Sequence, residues 1–245
     1  MARRIAIDQA IDSFVLHLKV ERGLSIHTVE AYGRDLARFL EFCAARHRVD
    51  ADDVTAHDLT DYLLNLAEAG LAARSRARAL VAIRGLFAYL IAERWLDASP
   101  ADLVDAPKTS RRFPGVLGEP AVAALCETPA AAHPRGVRDR AMLELAYASG
   151  LRVSELVTLP MDAVNLRAGH VRVTGKGKKT RMVPIGGAAR DAIERYLAEV
   201  RPRWLRDPAE QAVFLTERGG PMTRQSFWRI VGRTARAAGV SLPSG

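Results

Sequence analysis

The sequence predicts a mainly α protein of two domains: an N-terminal four-helix bundle, then a second α domain carrying a small three-stranded antiparallel sheet. Three observations predict it. Apolar residues recur at helical spacing through the first hundred residues. A break rich in proline and charge follows near residue 105. Around residues 164–185 the apolar period shortens from about 3.6 to about 2 before helices resume.

The first helix is expected around the apolar stretch Ala10–Leu18. In the second, Val29, Tyr32, Leu36, Phe39, Leu40 and Cys43 fall on one face, and Ser25 stands ahead of them as an N-cap. A third runs through Leu59–Leu66, and a fourth places Leu80, Ile83, Leu86, Phe87, Leu90 and Ile91 on one face. Four amphipathic helices with short connections bury their stripes together as a bundle. The run Asp105-Ala-Pro-Lys-Thr-Ser-Arg-Arg-Phe-Pro-Gly115 has no apolar period and reads as an extended linker. The expected domains are therefore 1–105 and 119–245, joined by a linker over 106–118.

In the second domain helices are expected at Pro120–Cys126 and Val137–Ser149, the latter ended by Gly150. Short strands follow at Val164–Leu166, His170–Thr174 and Arg181–Ile185, with Gly169, Gly175 and Gly177 in the turns. Helices return at Ala188–Val200 and Thr223–Ala238.

Composition narrows the function. The chain has 245 residues, 49% hydrophobic, and no run near the ~18 apolar residues that span a bilayer. Met1–Ala10 holds Arg3, Arg4 and Asp8 but no apolar segment, so no secretory signal is read and the cytoplasm is the expected location. Cys43 and Cys126 sit in apolar helical stretches without zinc-site spacing and read as buried thiols. No metal or cofactor is expected. The net charge of +8 is unevenly placed. Residues 1–110 hold 14 Lys/Arg against 16 Asp/Glu, whereas residues 111–245 hold 22 against 12. A second half that basic points to a polyanion, either nucleic acid or an anionic membrane face.

Three features could carry chemistry. In Gly150-Leu-Arg-Val-Ser-Glu-Leu156 a glycine turn opens a helix with Arg152 and Glu155 on one face of its first turn. An arginine at a helix N-terminus opposes the helix dipole unless an anion sits there. The plainer reading is a surface ion pair. In Val171–Arg181 five cations (Arg172, Lys176, Lys178, Lys179 and Arg181) occupy a tight hairpin without any acid. Glycines beside Lys176 let it approach an anion closely, although lysines on a hairpin also serve to block edge pairing. In the last helix Phe227, Ile230, Val231, Thr234 and Ala238 face a core, which leaves Arg224, Arg229, Arg233 and Arg236 outside. These could meet phosphates or remain a solvated face. Arg74, Arg76, Arg78 and Arg84 of the first domain carry the same two readings.

Together these segments resemble the tyrosine recombinases of the Xer type. In the first domain the resemblance rests on Glu21-Arg-Gly-Leu-Ser-Ile-His-Thr-Val-Glu-Ala-Tyr-Gly-Arg-Asp-Leu36 and Arg84-Gly-Leu-Phe-Ala-Tyr-Leu90. In the second it rests on Tyr147-Ala-Ser-Gly-Leu-Arg-Val-Ser-Glu-Leu156, Gly175-Lys-Gly-Lys-Lys-Thr-Arg-Met-Val-Pro184 and Met222-Thr-Arg-Gln-Ser-Phe-Trp228. It covers nearly the whole chain, in order. It implies a core-binding, SAM-like bundle followed by a recombinase catalytic domain, the two clamping duplex DNA. It also implies that Arg152 grips the scissile phosphate, that Lys176 protonates the leaving 5′-oxygen, and that Glu155 orients its neighbours. The other hairpin and helix cations would hold DNA, with no metal or cofactor required. The partners it implies are double-stranded DNA, a second XerC-like recombinase in a heterotetramer, and a DNA translocase of the FtsK type.

The resemblance further implies a His-x-x-Arg motif, a second His or Trp and a tyrosine nucleophile beyond the last helix, and none of these occurs in the 245 residues. Tyr32, Tyr62, Tyr89, Tyr147 and Tyr196 all fall in helical periods and are expected in packed positions. The catalytic domain is thus expected to be incomplete at the C-terminus. Two functions follow: a site-specific recombinase of chromosome dimer resolution, here lacking its nucleophile, or a non-catalytic protein that occupies such sites. A membrane-surface adaptor has only the charge in its favour.

Overall fold

Ser25 and Thr55 start two of the four helices that build the N-terminal unit. The helices are α1 (Ile7–Val20), α2 (Ile26–Ala45), α3 (Ala56–Glu68) and α4 (Ala73–Ala92). Ser25 accepts from the Thr28 backbone N–H as its spacing predicts. Thr55 and Asp58 form a reciprocal capping box at α3. The structure is a computed structural model describing residues 4–108, 115–175 and 179–243. Its contacts separate it into Met1–Arg112 and Phe113–Gly245.

The predicted stripes meet in one core. Phe14, Leu36, Phe39, Tyr62, Leu80, Ile83, Leu86, Phe87 and Leu90 are buried together. Two carboxylates go down with them, and each is paired. Asp35 takes a fork from Arg78 at 2.8 and 3.1 Å, and Asp58 takes one from Arg48 at 3.2 and 3.3 Å. Pairing offsets the cost of burying a charge in an apolar core.

The second unit opens with α5 (Glu119–Glu127) and α6 (Pro134–Ser149). Gly150 ends α6 at φ 56°, the left-handed conformation that glycine adopts without penalty. Leu151 and Arg152 lead into the short α7 (Val153–Val157). Strands β1 (Val164–Asn165), β2 (His170–Thr174) and β3 (Thr180–Pro184) make an antiparallel sheet in the order β1-β2-β3. Then come α8 (Gly187–Glu199), α9 (Arg201–Trp204) and α10 (Arg224–Ala237). The third strand begins and ends one residue earlier than the alternation predicts. The segment expected as a linker lies partly outside the described residues, as does Gly177 of the hairpin turn.

Met142, Leu145, Ile193, Tyr196, Phe214, Phe227 and Ile230 lie in the second core, with α6 packed along α8. Thr223 caps α10 by accepting from the Ser226 N–H at 3.1 Å. Buried Arg138 and Asp139 of α6 pair with each other at 2.7 Å, and Arg138 also donates to the Leu215 carbonyl at 3.1 Å. No helix among the described residues is long and apolar enough to cross a membrane.

Candidate functional site

The turn after Gly150 places Arg152 at the N-cap of α7 with extended backbone, φ −63° and ψ 147°. Its side chain is 68% exposed, while that of Glu155, three residues on, is 8% exposed. Glu155 reaches back in the manner of a capping box: its Oε2 accepts the Arg152 backbone N–H at 2.8 Å. Oε1 accepts Nη1 of Arg152 at 3.0 Å. From strand β3, Arg181 forks onto the same carboxylate, Nη1 to Oε1 at 2.9 Å and Nη2 to Oε2 at 2.8 Å. Chiefly through that fork, and against the opposing effect of burial, the Glu155 carboxyl is held down to about 2. Two guanidinium groups thus share one carboxylate. The trio keeps a net positive charge, and its outward face is the guanidinium of Arg152.

The hairpin meets this trio at Gly175. Gly175 closes the end of the hairpin, its N–H donating to the Lys179 carbonyl at 2.8 Å. A Cβ added to Gly175 would lie 3.3 Å from Nη1 of Arg181 and 3.7 Å from both Nη1 of Arg152 and Oε1 of Glu155. Lys176 and Lys178, expected at this turn, lie outside the described residues. Lys179 is exposed. Arg172 points to the other face of the sheet and pairs with Asp162 at 2.9 Å. An open cleft between α7 and the hairpin is lined by Ser154, Glu155, Thr158, Arg172, Thr174 and Thr180. Among the described residues no three His, Cys, Asp or Glu side chains converge as metal ligands do.

The remaining predicted cations divide by partner. Arg74, Arg224 and Arg229 are exposed and make no ion pair among the described residues. Arg76 is half-buried, and its Nε finds no hydrogen-bond partner among the described residues. Arg233 is 60% exposed and donates to Asp139 at 2.6 Å. Arg78 is committed to Asp35, and Arg84 donates to the Ala101 and Val104 carbonyls at 3.3 and 2.6 Å. The fold therefore gives Arg78, Arg84 and Arg181 intramolecular work that a count of basic residues does not reveal. For Arg181 the signal lay in the alternation. Residues 181, 183 and 185 share the inward face with Val173, and a cation on that face requires a buried partner.

All five tyrosines lie in helices. Tyr62 and Tyr196 are fully buried, and burial pushes both phenols up. Tyr147 departs from the expectation of packing: it is 58% exposed, because it lies on the solvent side of α6 near the Gly150 end. Burial also pushes the Cys43 thiol up to about 12 and that of Cys126 to about 11, consistent with inert core positions. Trp228, which the resemblance quotes without a role, stands 61% exposed on α10.

A helical bundle followed by a helical domain with a three-stranded sheet, and an arginine-carboxylate-arginine cluster at a helix N-terminus, define a class. The Phage integrase family model matches residues 116–244, and the model for the phage integrase N-terminal SAM-like domain matches residues 11–94. The chain belongs to this family of tyrosine recombinases. Among its relatives, it is 37% identical to the tyrosine recombinase XerD of Halalkalibacterium halodurans over 97% of this chain and 80% of that one. It is 36% identical to the XerD of Staphylococcus aureus over 92% of this chain and 76% of that one. In fold it matches a lambda integrase, crystallised as a dimer bound to a COC′ core site, with a TM-score of 0.74 and 16% identity. That match covers 99% of this chain and 66% of the integrase chain. The chain is a XerD-like tyrosine recombinase, mainly α, with a SAM-like N-terminal domain and the small antiparallel sheet that its periodicity predicts.

Proposed function

We propose that this protein binds double-stranded DNA at a specific site and serves strand exchange through a 3′-phosphotyrosyl intermediate, in chromosome dimer resolution in the cytoplasm. The observation that carries the reading is the exposed guanidinium of Arg152, held by a nearly buried Glu155 in a cluster of net positive charge. Attack on a phosphodiester concentrates negative charge on the non-bridging oxygens, and a fixed guanidinium fork matches two of them. Lys176 is the proposed donor of the proton that the leaving 5′-oxygen takes up. Lys179, Arg224, Arg229 and Arg74 are the proposed phosphate contacts, since each is exposed and unpaired among the described residues. The proposed partners are a XerC-like recombinase and a translocase of the FtsK type.

Strand cleavage needs a nucleophile that these 245 residues do not offer. No His-x-x-Arg motif occurs in them, and four of the five tyrosines are buried or half-buried in helices. A polypeptide of these residues is therefore proposed to hold DNA without cutting it. The test is binding to a labelled duplex across a salt series, together with incubation on nicked suicide substrates. Log affinity should fall by about 0.9 per neutralised phosphate for each unit of log salt, and no covalent adduct should form. Affinity indifferent to salt, or an adduct mapped to Tyr147, overturns the reading.

A further inference from the structure

We infer that Arg181 is a positioning residue for Arg152, acting through Glu155, rather than one more cation of the DNA-binding surface. The inference rests on the phosphate role proposed for Arg152. The register comes first. Arg181 stands directly opposite Val173, which is 4% exposed, so its side chain leaves the inward face of the hairpin and not the solvent face that carries Arg172. Both of its Nη groups are then occupied by Glu155, at 2.9 and 2.8 Å. To take a phosphate, Arg181 would have to abandon two charge-assisted bonds and leave a nearly buried carboxylate short of donors, a costly exchange.

What Arg181 does for Arg152 follows from the sharing. Arg152 reaches the carboxylate through a single side-chain bond, Nη1 to Oε1 at 3.0 Å. Were Glu155 to face Arg152 alone, the carboxylate could turn to take its guanidinium in a fork and cancel its charge. With Arg181 holding both oxygens and the Arg152 backbone N–H on Oε2, Glu155 spares only one contact for the Arg152 side chain, and the rest of that guanidinium stays free for an anion. The same fork seats the hairpin. Gly175 lies so close that a Cβ there would crowd Arg181 at 3.3 Å and touch Arg152 and Glu155 at 3.7 Å. Arg181 thus sets the Gly175 end of the hairpin and the exposed arginine at one place.

The test is a double-mutant cycle on the whole 245-residue chain with a labelled random-sequence duplex. Arg181→Gln should weaken binding about tenfold, the scale of one charge-assisted contact. In an Arg152→Gln background the same change should add nothing, because its effect passes through Arg152. Arg181→Lys should fail to restore affinity, since an ammonium keeps the charge but cannot fork. Side-chain 15N spectra supply a readout that DNA does not enter: in Arg181→Gln the Arg152 guanidinium signals should shift and become resolved, as its fork onto Glu155 slows rotation. Losses that multiply in the double variant, or full rescue by lysine, assign Arg181 to the phosphates and overturn the inference. Unchanged Arg152 signals overturn it as well. If the parent chain binds no duplex, the proposed function fails, while the spectra still judge Arg181. If Arg181→Gln does not fold, Arg181→Lys is predicted to show the same non-additivity with Arg152→Gln and carries the cycle.

Discussion

Arg233 of the last helix donates to Asp139 of α6 across 2.6 Å, and Asp139 is 2% exposed. On its other side the same carboxylate holds Arg138, itself 7% exposed and stacked 5.2 Å over Trp204. One buried charge therefore ties α10 to α6 and compensates a second buried charge. Asp139→Ala leaves the Arg138 cation uncompensated in the core, and should destabilise the second unit by about 3–5 kcal/mol. Arg233→Ala removes only an exposed partner and should cost under about 1 kcal/mol. Urea unfolding of the two variants measures the contrast; equal losses would contradict the asymmetry.

Glu155 makes stability depend on acid. Its carboxyl is held at about 2 in the fold, below its ordinary value of 4.5. A group whose native pKa is depressed contributes stability that is complete above its unfolded value and is lost as pH falls through its folded one. The loss window is therefore from about 4.5 down to about 2. Glu155→Gln should flatten the stability profile in that window and leave its shape at neutral pH unchanged. Thermal melts across an acid series test this, and an unaltered acid limb in the variant would count against the cluster.

Arg84 and Arg74 lie on the same helix and should behave as opposites. Arg84→Ala strips hydrogen bonds from the carbonyls of Ala101 and Val104, both buried. It should cost about 1–3 kcal/mol in stability and leave the salt dependence of DNA binding intact. Arg74→Ala should leave stability unchanged and lower the slope of log affinity against log salt by about 0.9. A salt slope that responds to Arg84 instead would reverse the assignment.

Gly150→Ala tests how finely Arg152 is placed. At φ 56° an alanine meets no neighbouring atom, so the whole penalty is backbone strain, about 1–2 kcal/mol. If the chain relieves that strain by shifting residues 150–152, DNA affinity should fall beyond what the lost stability explains. Affinity unchanged in a folded variant would show that the turn tolerates the substitution.

Much of this molecule was legible before any coordinates. The stripes through Val29–Cys43 and Leu80–Ile91 became α2 and α4, Ser25 and Thr223 cap the helices they precede, and Gly150 ends α6. Those features depend on neighbours a few residues apart, which sequence spacing reports directly. Arg152 and Glu155 were legible for the same reason, being one turn apart. The partners of Arg78, Arg84 and Arg233 were not. Asp35, the carbonyls near residue 101 and Asp139 lie 17 to 94 positions away in sequence, and a guanidinium reads the same on paper whether it meets water or a buried carboxylate.

By itself the sequence determined the elements, the two-part order and the concentration of positive charge in the second half, because periodicity and composition act locally and additively. Tertiary structure alone decided which cations remain available to a ligand. Burial of Asp35, Glu155 and Asp139 obliged particular arginines to pair with them, and the cost of an unpaired charge in an apolar surrounding outweighs any preference those arginines have for solvent.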